Sequence, residues 1–245
     1  MDSKQLILRM KKSDRFAYEY LAHRGFDDIV YEPDRNQTPD FLVEGRIAVE
    51  ARRLNQNEAF AEGYRGLEEL RTPLNALVKK VIGFTIDLPS AGESWFVVYA
   101  FRRPLPPWKE LERLIAVALR SFRDQSNHQP GMVRVTANFK LEFYRASSVH
   151  PTFFVFGGSR DSDSGGFVMG ETVRNLRICI AEKTRKAAKF RSKYPEWWLV
   201  LEDRIGYGDW NESDRSQLRE LVQLDGGWDK IIVVSHLNHA IGFEL

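Results

Sequence analysis

One cysteine, Cys179, is all that 245 residues contain. An internal disulfide is thereby excluded, and the usage fits a reducing compartment, with Cys179 read as a small buried apolar residue. Equally lacking is any run of about 18 apolar residues, the length a helix needs to cross a bilayer. No basic start leads into an apolar stretch either, so the expectation is a cytoplasmic chain without a membrane partner. Nor is there a surplus of one charge. The 36 basic and 34 acidic residues leave a net +2, so a surface for a phosphate-rich partner has to be local. No internal repeat and no low-complexity tract is present. Missing too are the Gly-x-Ser-x-Gly elbow, the Cys-x-x-Cys pair and the His-Glu-x-x-His helix, with the chemistries they carry. The glycine-rich run from Gly157 to Gly170 has no Gly-Lys-Ser/Thr ending and reads as a mobile linker. Its Asp161 and Asp163 alternate as in a calcium loop, without the glycine and glutamate spacing such a loop needs. His236 and His239 have no third ligand near them in the sequence and are not read as a metal site.

What is present is a chain with 43% hydrophobic residues, able to bury a core as one large domain or a domain with an insertion. The most informative stretch is Pro39 to Leu54, PDFLVEGRIAVEARRL. Two runs rich in β-branched and aromatic residues meet at Glu44-Gly45-Arg46, which predicts a β-hairpin turning at the glycine. The three-residue loop sets the register: 40 opposite 50, 41 opposite 49, 43 opposite 47. Phe41, Val43, Ile47, Val49 and Ala51 then share an apolar face, and Asp40, Leu42, Ala48, Glu50 and Arg52 the other. Asp40 and Glu50 become cross-strand neighbours, with Cβ atoms about 5 Å apart.

Like charges that close call for a cation. Two candidates fit: Arg52, two residues beyond Glu50 on the same face, and a divalent metal. Mg²⁺ takes hard oxygen ligands, commonly one or two carboxylates with water and phosphate completing the shell. A metal so held activates water and stabilises charge developing at phosphorus.

Pro39-Asp40 followed by Glu50-Ala51-Arg52 resembles the motif of the PD-(D/E)XK nuclease superfamily, the restriction-endonuclease-like fold. That pattern is Pro-Asp on one strand, then an acid, any residue and a lysine on the next. The resemblance implies an α/β fold with a core of helix, three-stranded meander, helix and strand. It implies Mg²⁺ or Mn²⁺ held by Asp40, Glu50 and the backbone carbonyl of Ala51, DNA as partner, and room for a homodimer. The departure is Arg52 at the lysine position. Arginine stabilises charge, but it stays protonated and is a poor proton acceptor.

The order of elements around the motif agrees with such a core. Ser13 is a plausible N-cap for a helix from Asp14 to His23 ended by Gly25, with Phe16, Ala17, Tyr20 and Leu21 as its apolar stripe. In the resembled superfamily this helix often supplies an acid. Asp14, on the border of the stripe, is favoured over Glu19, which points further away. Its other reading is a first-turn acid that complements the helix dipole. A strand is predicted over 27–32 and a helix over 58–80, which Thr72-Pro73 divides in two. Asn55 and Gln56 lie near the open end of the site, as substrate contacts or as ordinary loop residues. From 84 to 170 the resemblance does not apply, and this part is expected to be an insertion or a sheet extension within a single domain, 1–245. It holds predicted strands at 81–88, 95–102, 133–144 and 152–156 and an amphipathic helix at 107–122. Lys109, Arg113, Arg120 and Arg123 form either a phosphate-binding stripe or a solvated helix face.

A long helix over 171–192 presents Val173, Leu176, Ile180, Thr184 and Ala187 to the core and leads into a strand, 197–201, that is apolar throughout. Some members of the superfamily draw the missing lysine from this helix, and Lys183, nearest the apolar face, is the candidate. Its other reading is a basic residue near a helix C-terminus. A helix over 213–224, a Gly226-Gly227 turn and a strand over 230–235 close the chain. Three functions stay open: a metal-dependent DNA nuclease using Asp40, Glu50, Arg52, Lys183 and Asp14; an inactive nuclease-like domain that binds nucleic acid or protein, with Arg52 in place of the metal; and an unrelated α/β domain with a chance Pro-Asp.

Overall fold

The computed structural model describes residues 10–11, 13–35, 37–60, 63–84, 92–222 and 227–245. The fold is mixed α/β and divides into two units: Met1–Gly66 with Gly166–Leu245, and Leu67–Gly165. The expected insertion, 84–170, is to be set beside this second unit, which begins with a whole helix at Leu67.

The first unit is a six-stranded sheet between helices. Its strands are β1 (Ile29–Tyr31), β2 (Phe41–Val43), β3 (Ile47–Leu54), β10 (Glu196–Asp203), β11 (Lys230–Ser235) and β12 (Gly242–Glu244), in the order β1-β2-β3-β10-β11-β12. The first three form an antiparallel meander, β10 runs parallel to β3, β11 parallel to β10, and β12 turns back antiparallel. Both margins are strands of only three residues. The β2–β3 register is Phe41 opposite Val49 and Val43 opposite Ile47, as the loop length predicts. Glu44 and Gly45 take positive φ of 51° and 63° at the turn, the conformation a tight hairpin demands.

Alternation along the strands divides the sheet into two faces. One packs Phe41, Val43, Ile47, Val49 and Ala51 with Trp198, Val200, Ile232 and Val234 against helix α1, Arg15–His23, through Phe16, Ala17, Tyr20 and Leu21. The N-cap of α1 is Asp14, not Ser13. The opposite face carries Leu199, Leu201 and Val233 against helix α4, Val168–Ala187, through Val173, Leu176, Cys179 and Ile180. A 3₁₀ helix, Ala188–Lys193, follows α4, and α5, Glu212–Leu221, is capped by the Asn211 side chain. The strand predicted over 230–235 is β11, residue for residue. Gly226 of the expected turn lies outside the described residues.

Where a helix was predicted from residue 58, the chain instead forms a hairpin, β4 (Asn57–Phe60) and β5 (Gly63–Gly66). Its root is held by α4: the backbone N–H and side-chain amide of Asn57 both donate to Asn175 Oδ1, at 2.9 and 3.0 Å. That tertiary anchor outweighs local helix propensity.

The second unit has a four-stranded sheet, order β7-β8-β6-β9, with β6 Trp95–Phe101, β7 Gly131–Thr136, β8 Phe139–Arg145 and β9 Phe154–Asp161. Helices α2, Leu67–Phe84, and α3, Trp108–Arg123, pack on it through Leu74, Val78, Ile115, Leu119 and Phe122. Pro73 sits inside α2 without dividing it. Val81–Phe84 close that helix rather than opening a strand, and 85–91 lie outside the described residues. The single strand predicted over 133–144 is a hairpin, turning at Ala137-Asn138. The supposed linker is structured as well. β9 runs through Gly157 and Gly158, shifting register beside Val97/Val98, and Asp161 and Asp163 grip Arg103, with bonds of 2.8 and 2.9 Å to Asp161 and 3.1 Å to Asp163. Lys109, Arg113 and Arg120 are exposed on α3.

Candidate active site

Three elements of the first unit bring their charges to one point on the α4 face. β3 offers Glu50 because even-numbered positions of that strand face α4. The chain entering β2 offers Asp40, one residue before the first ladder pair. α4 offers Lys183, one turn after Cys179 on the buried side of the helix. Lys183 Nζ lies 2.6 Å from Glu50 Oε2 and 3.2 Å from Asp40 Oδ2. The cation between the two carboxylates is therefore the helix lysine. Lys186, one turn on and half-exposed, reaches within 3.8 Å of the same Glu50 oxygen.

Arg52 does not join this cluster. Its guanidinium pairs with Glu182 of α4 and lies 3.4 Å from Asn57 Oδ1. Asp14 is likewise placed elsewhere: it accepts from Ser13 Oγ at 2.7 Å and from the Tyr31 hydroxyl at 3.0 Å. No hydrogen bond or ion pair among the described residues links it to Asp40, Glu50 or Lys183. Glu19 accepts instead from His239 Nδ1 at 2.6 Å.

Burial sets the electrostatics. Glu50 is fully buried, and loss of water pushes its carboxyl above the usual carboxylate range. The Lys183 ammonium opposes that rise, and the Asp40 charge adds to it. For Lys183, burial favours the neutral amine, but the charges of Asp40 and Glu50 and their hydrogen bonds outweigh it and hold the ammonium above its ordinary value. Lys186 adds a second, more distant positive charge on Glu50.

One oxygen of the cluster is orphaned. Glu50 Oε1 is buried and has no hydrogen-bond partner, a costly state for an anionic oxygen. The hydrogen bonds to Asp40 go to Oδ2, from Lys183 and from the Ala51 N–H at 2.8 Å. In an extended strand a residue's N–H and C=O point to the same side, so the Ala51 carbonyl lies on the same edge of β3 as that N–H. Glu50 Oε1, Asp40 Oδ1 and that carbonyl are all hard oxygen donors, the set a magnesium-class ion takes.

Beside the cluster lies a cleft of about 1150 Å³. Arg177, Glu182, Arg185 and Lys186 of α4 and Lys189 after it line this cleft with Tyr64, Phe190 and Thr38, while Asp40, Glu50 and Lys183 are not among its lining residues. Reading the sequence alone missed Glu182 as the partner of Arg52 and Lys186 as a second cation near Glu50. For Lys186 the available signal was its place one turn beyond Lys183; for Glu182 the sequence held none.

Comparison with family models, with curated proteins and with solved structures finds no match. No helix among the described residues is long and apolar enough to cross a membrane.

Proposed function

We propose that the chain is a metal-dependent phosphodiesterase acting on DNA, with a restriction-endonuclease-like core in its first unit. The observation that carries this reading is Lys183 seated between Asp40 and Glu50, beside a buried glutamate oxygen without a partner and a cleft walled by basic side chains. It fits the motif in which the lysine absent from β3, where Arg52 stands, comes from the following helix. Asp40, Glu50 and the Ala51 carbonyl would hold Mg²⁺ or Mn²⁺, which supplies Lewis-acid stabilisation of a phosphoryl oxygen and an activated water. The protein's own contribution is positioning. Arg177, Arg185 and Lys189 draw the phosphate backbone into the cleft, Lys186 neutralises charge at the scissile phosphate, and Lys183 orients the attacking water through a hydrogen bond. Arg52, tied to Glu182, braces β3 against α4.

The same ion triad supports a second reading, a nuclease-like domain that binds without cutting. Lys183 there takes over the balancing role that the sequence gave to Arg52. One experiment separates the two. Plasmid and single-stranded DNA are incubated with the protein and Mg²⁺ or Mn²⁺, beside Asp40→Ala, Glu50→Ala and Lys183→Ala. Cutting that needs metal and falls at least about 100-fold in all three variants supports the nuclease. A folded wild type that neither cuts nor takes up metal at Asp40 and Glu50 supports the binding domain.

A further inference from the structure

On the other face of the same sheet a second cluster is assembled from parts far apart in the chain. Glu202 projects from the end of β10 on the α1 side, beside His236 and His239 from the segment after β11. His236 Nδ1 lies 3.2 Å and His239 Nε2 3.3 Å from the same oxygen, Glu202 Oε1. Sequence reading set the histidine pair aside for want of a third ligand. The parallel pairing of β10 with β11 supplies it, since Glu202 stands opposite Val234, two residues before His236.

Three features point to an ion. First, two ligands of a tetrahedral Zn²⁺, each about 2.05 Å from the metal, lie about 3.3 Å apart, which both histidine-to-Glu202 separations match, and all three ligand atoms lie within 4.8 Å of one another. Second, His239 Nε2 is a buried atom with no hydrogen-bond partner. Third, the outer groups are in place. Glu19 of α1 accepts from His239 Nδ1 at 2.6 Å, which turns the Nε2 lone pair towards Glu202. Arg204 holds Glu202 through Oε2 at 2.6 Å and Oε1 at 3.2 Å. A carboxylate on the far nitrogen of a ligating histidine is the usual support for such a centre. Arg204, with Arg53 at 3.7 Å from Oε2, reduces the negative charge Glu202 offers, which disfavours Mg²⁺ and Ca²⁺. Two imidazoles favour a borderline metal.

We propose that Glu202, His236 and His239 bind one Zn²⁺-class ion, with Glu19 as the positioning residue for His239. The ion ties α1 to the ends of β10 and β11, on the sheet face opposite Asp40 and Glu50, so it is separate from the proposed nuclease centre. The test uses metal-stripped full-length protein titrated with Zn²⁺, and with Co²⁺ as a spectroscopic probe. The expected result is one saturable Zn²⁺ per chain, a visible absorption of tetrahedral Co²⁺, and a rise in thermal midpoint. His236→Ala and His239→Ala should abolish all three. Glu19→Gln, at a half-exposed position, should retain the fold and weaken Zn²⁺ about 10–100-fold. Asp40→Ala and Glu50→Ala should leave Zn²⁺ binding unchanged. Wild type that takes up no stoichiometric Zn²⁺ overturns the proposal, as does Zn²⁺ binding that is unchanged in both histidine variants. If those variants do not fold, a Co²⁺ spectrum of the wild type without tetrahedral absorption overturns it instead.

Discussion

Of the thirteen buried polar or charged side chains among the described residues, ten lie in the first unit, and only Ser94, Glu142 and Asp161 in the second. The second unit buries rings: Trp95, Tyr99, Phe101, Phe139, Phe143 and Phe153 are almost wholly inaccessible, and Phe122 stacks on Phe143 at 3.9 Å. Its deepest ion pair among the described residues, Arg103 with Asp161, is bonded at both ends of the guanidinium. The first unit instead holds Glu50 with an oxygen unsatisfied and Lys183 shared between two acids. A core of aromatic rings supplies stability without chemistry. Buried charge costs stability unless it is paired, so charge left incompletely satisfied marks where chemistry is to be sought.

The contrast can be broken from either side. Removing a ring from the second unit should cost the most: Phe143→Ala is expected to lose about 3–5 kcal/mol in urea unfolding. A loss under about 1 kcal/mol would mean that the ring cluster does not hold this unit together.

Lys183→Met comes next. It strands Glu50 in the core and should cost about 3 kcal/mol at neutral pH, most of it recovered in the double variant with Glu50→Gln. The pH dependence has a definite sign. Lys183, raised above 10.5, stabilises the fold fully below that value, and the contribution is lost as pH climbs through the folded value. Glu50, raised above 4.5, binds its proton more tightly when folded, so its contribution is present below 4.5 and lost as pH rises. Acid therefore relieves the stranded glutamate in the variant, and alkali removes the wild-type ammonium. The stability gap should be widest between those limits and narrow at both ends, and a gap independent of pH would count against a buried ion cluster.

The smallest effect concerns Cys179. Burial pushes its thiol up to about 11, so the folded protein should not react with a thiol reagent at pH 8, and labelling should follow global unfolding. Rapid labelling of the native state would place α4 on an exposed surface.

Much of the site was legible because its signals are local. Strand alternation and loop length set the hairpin register, and with it the side of the sheet on which Asp40 and Glu50 meet Lys183. Helical angle put Lys183 at the edge of the buried stripe of α4. What stayed hidden depends on contacts between distant segments. Nothing near Asn57 announces Asn175, so the β4–β5 hairpin was read as helix. Arg52 looked like the balancing cation because Glu182 lies 130 residues away in sequence. Ala137-Asn138 is a weak turn signal inside two apolar runs, and it hid a strand boundary. Glu202 and His236 become neighbours only through strand order, which no short window contains.

The three-residue margins of the six-stranded sheet have a consequence for assembly. A foreign strand that docks on a sheet edge needs a row of free amides and carbonyls to copy, and β1 and β12 offer too few for a stable ladder. That sheet is thus guarded against templated growth into fibrils or swapped sheets, whereas the edges of the second unit's sheet, β7 with six residues and β9 with eight, keep a row of backbone groups to copy.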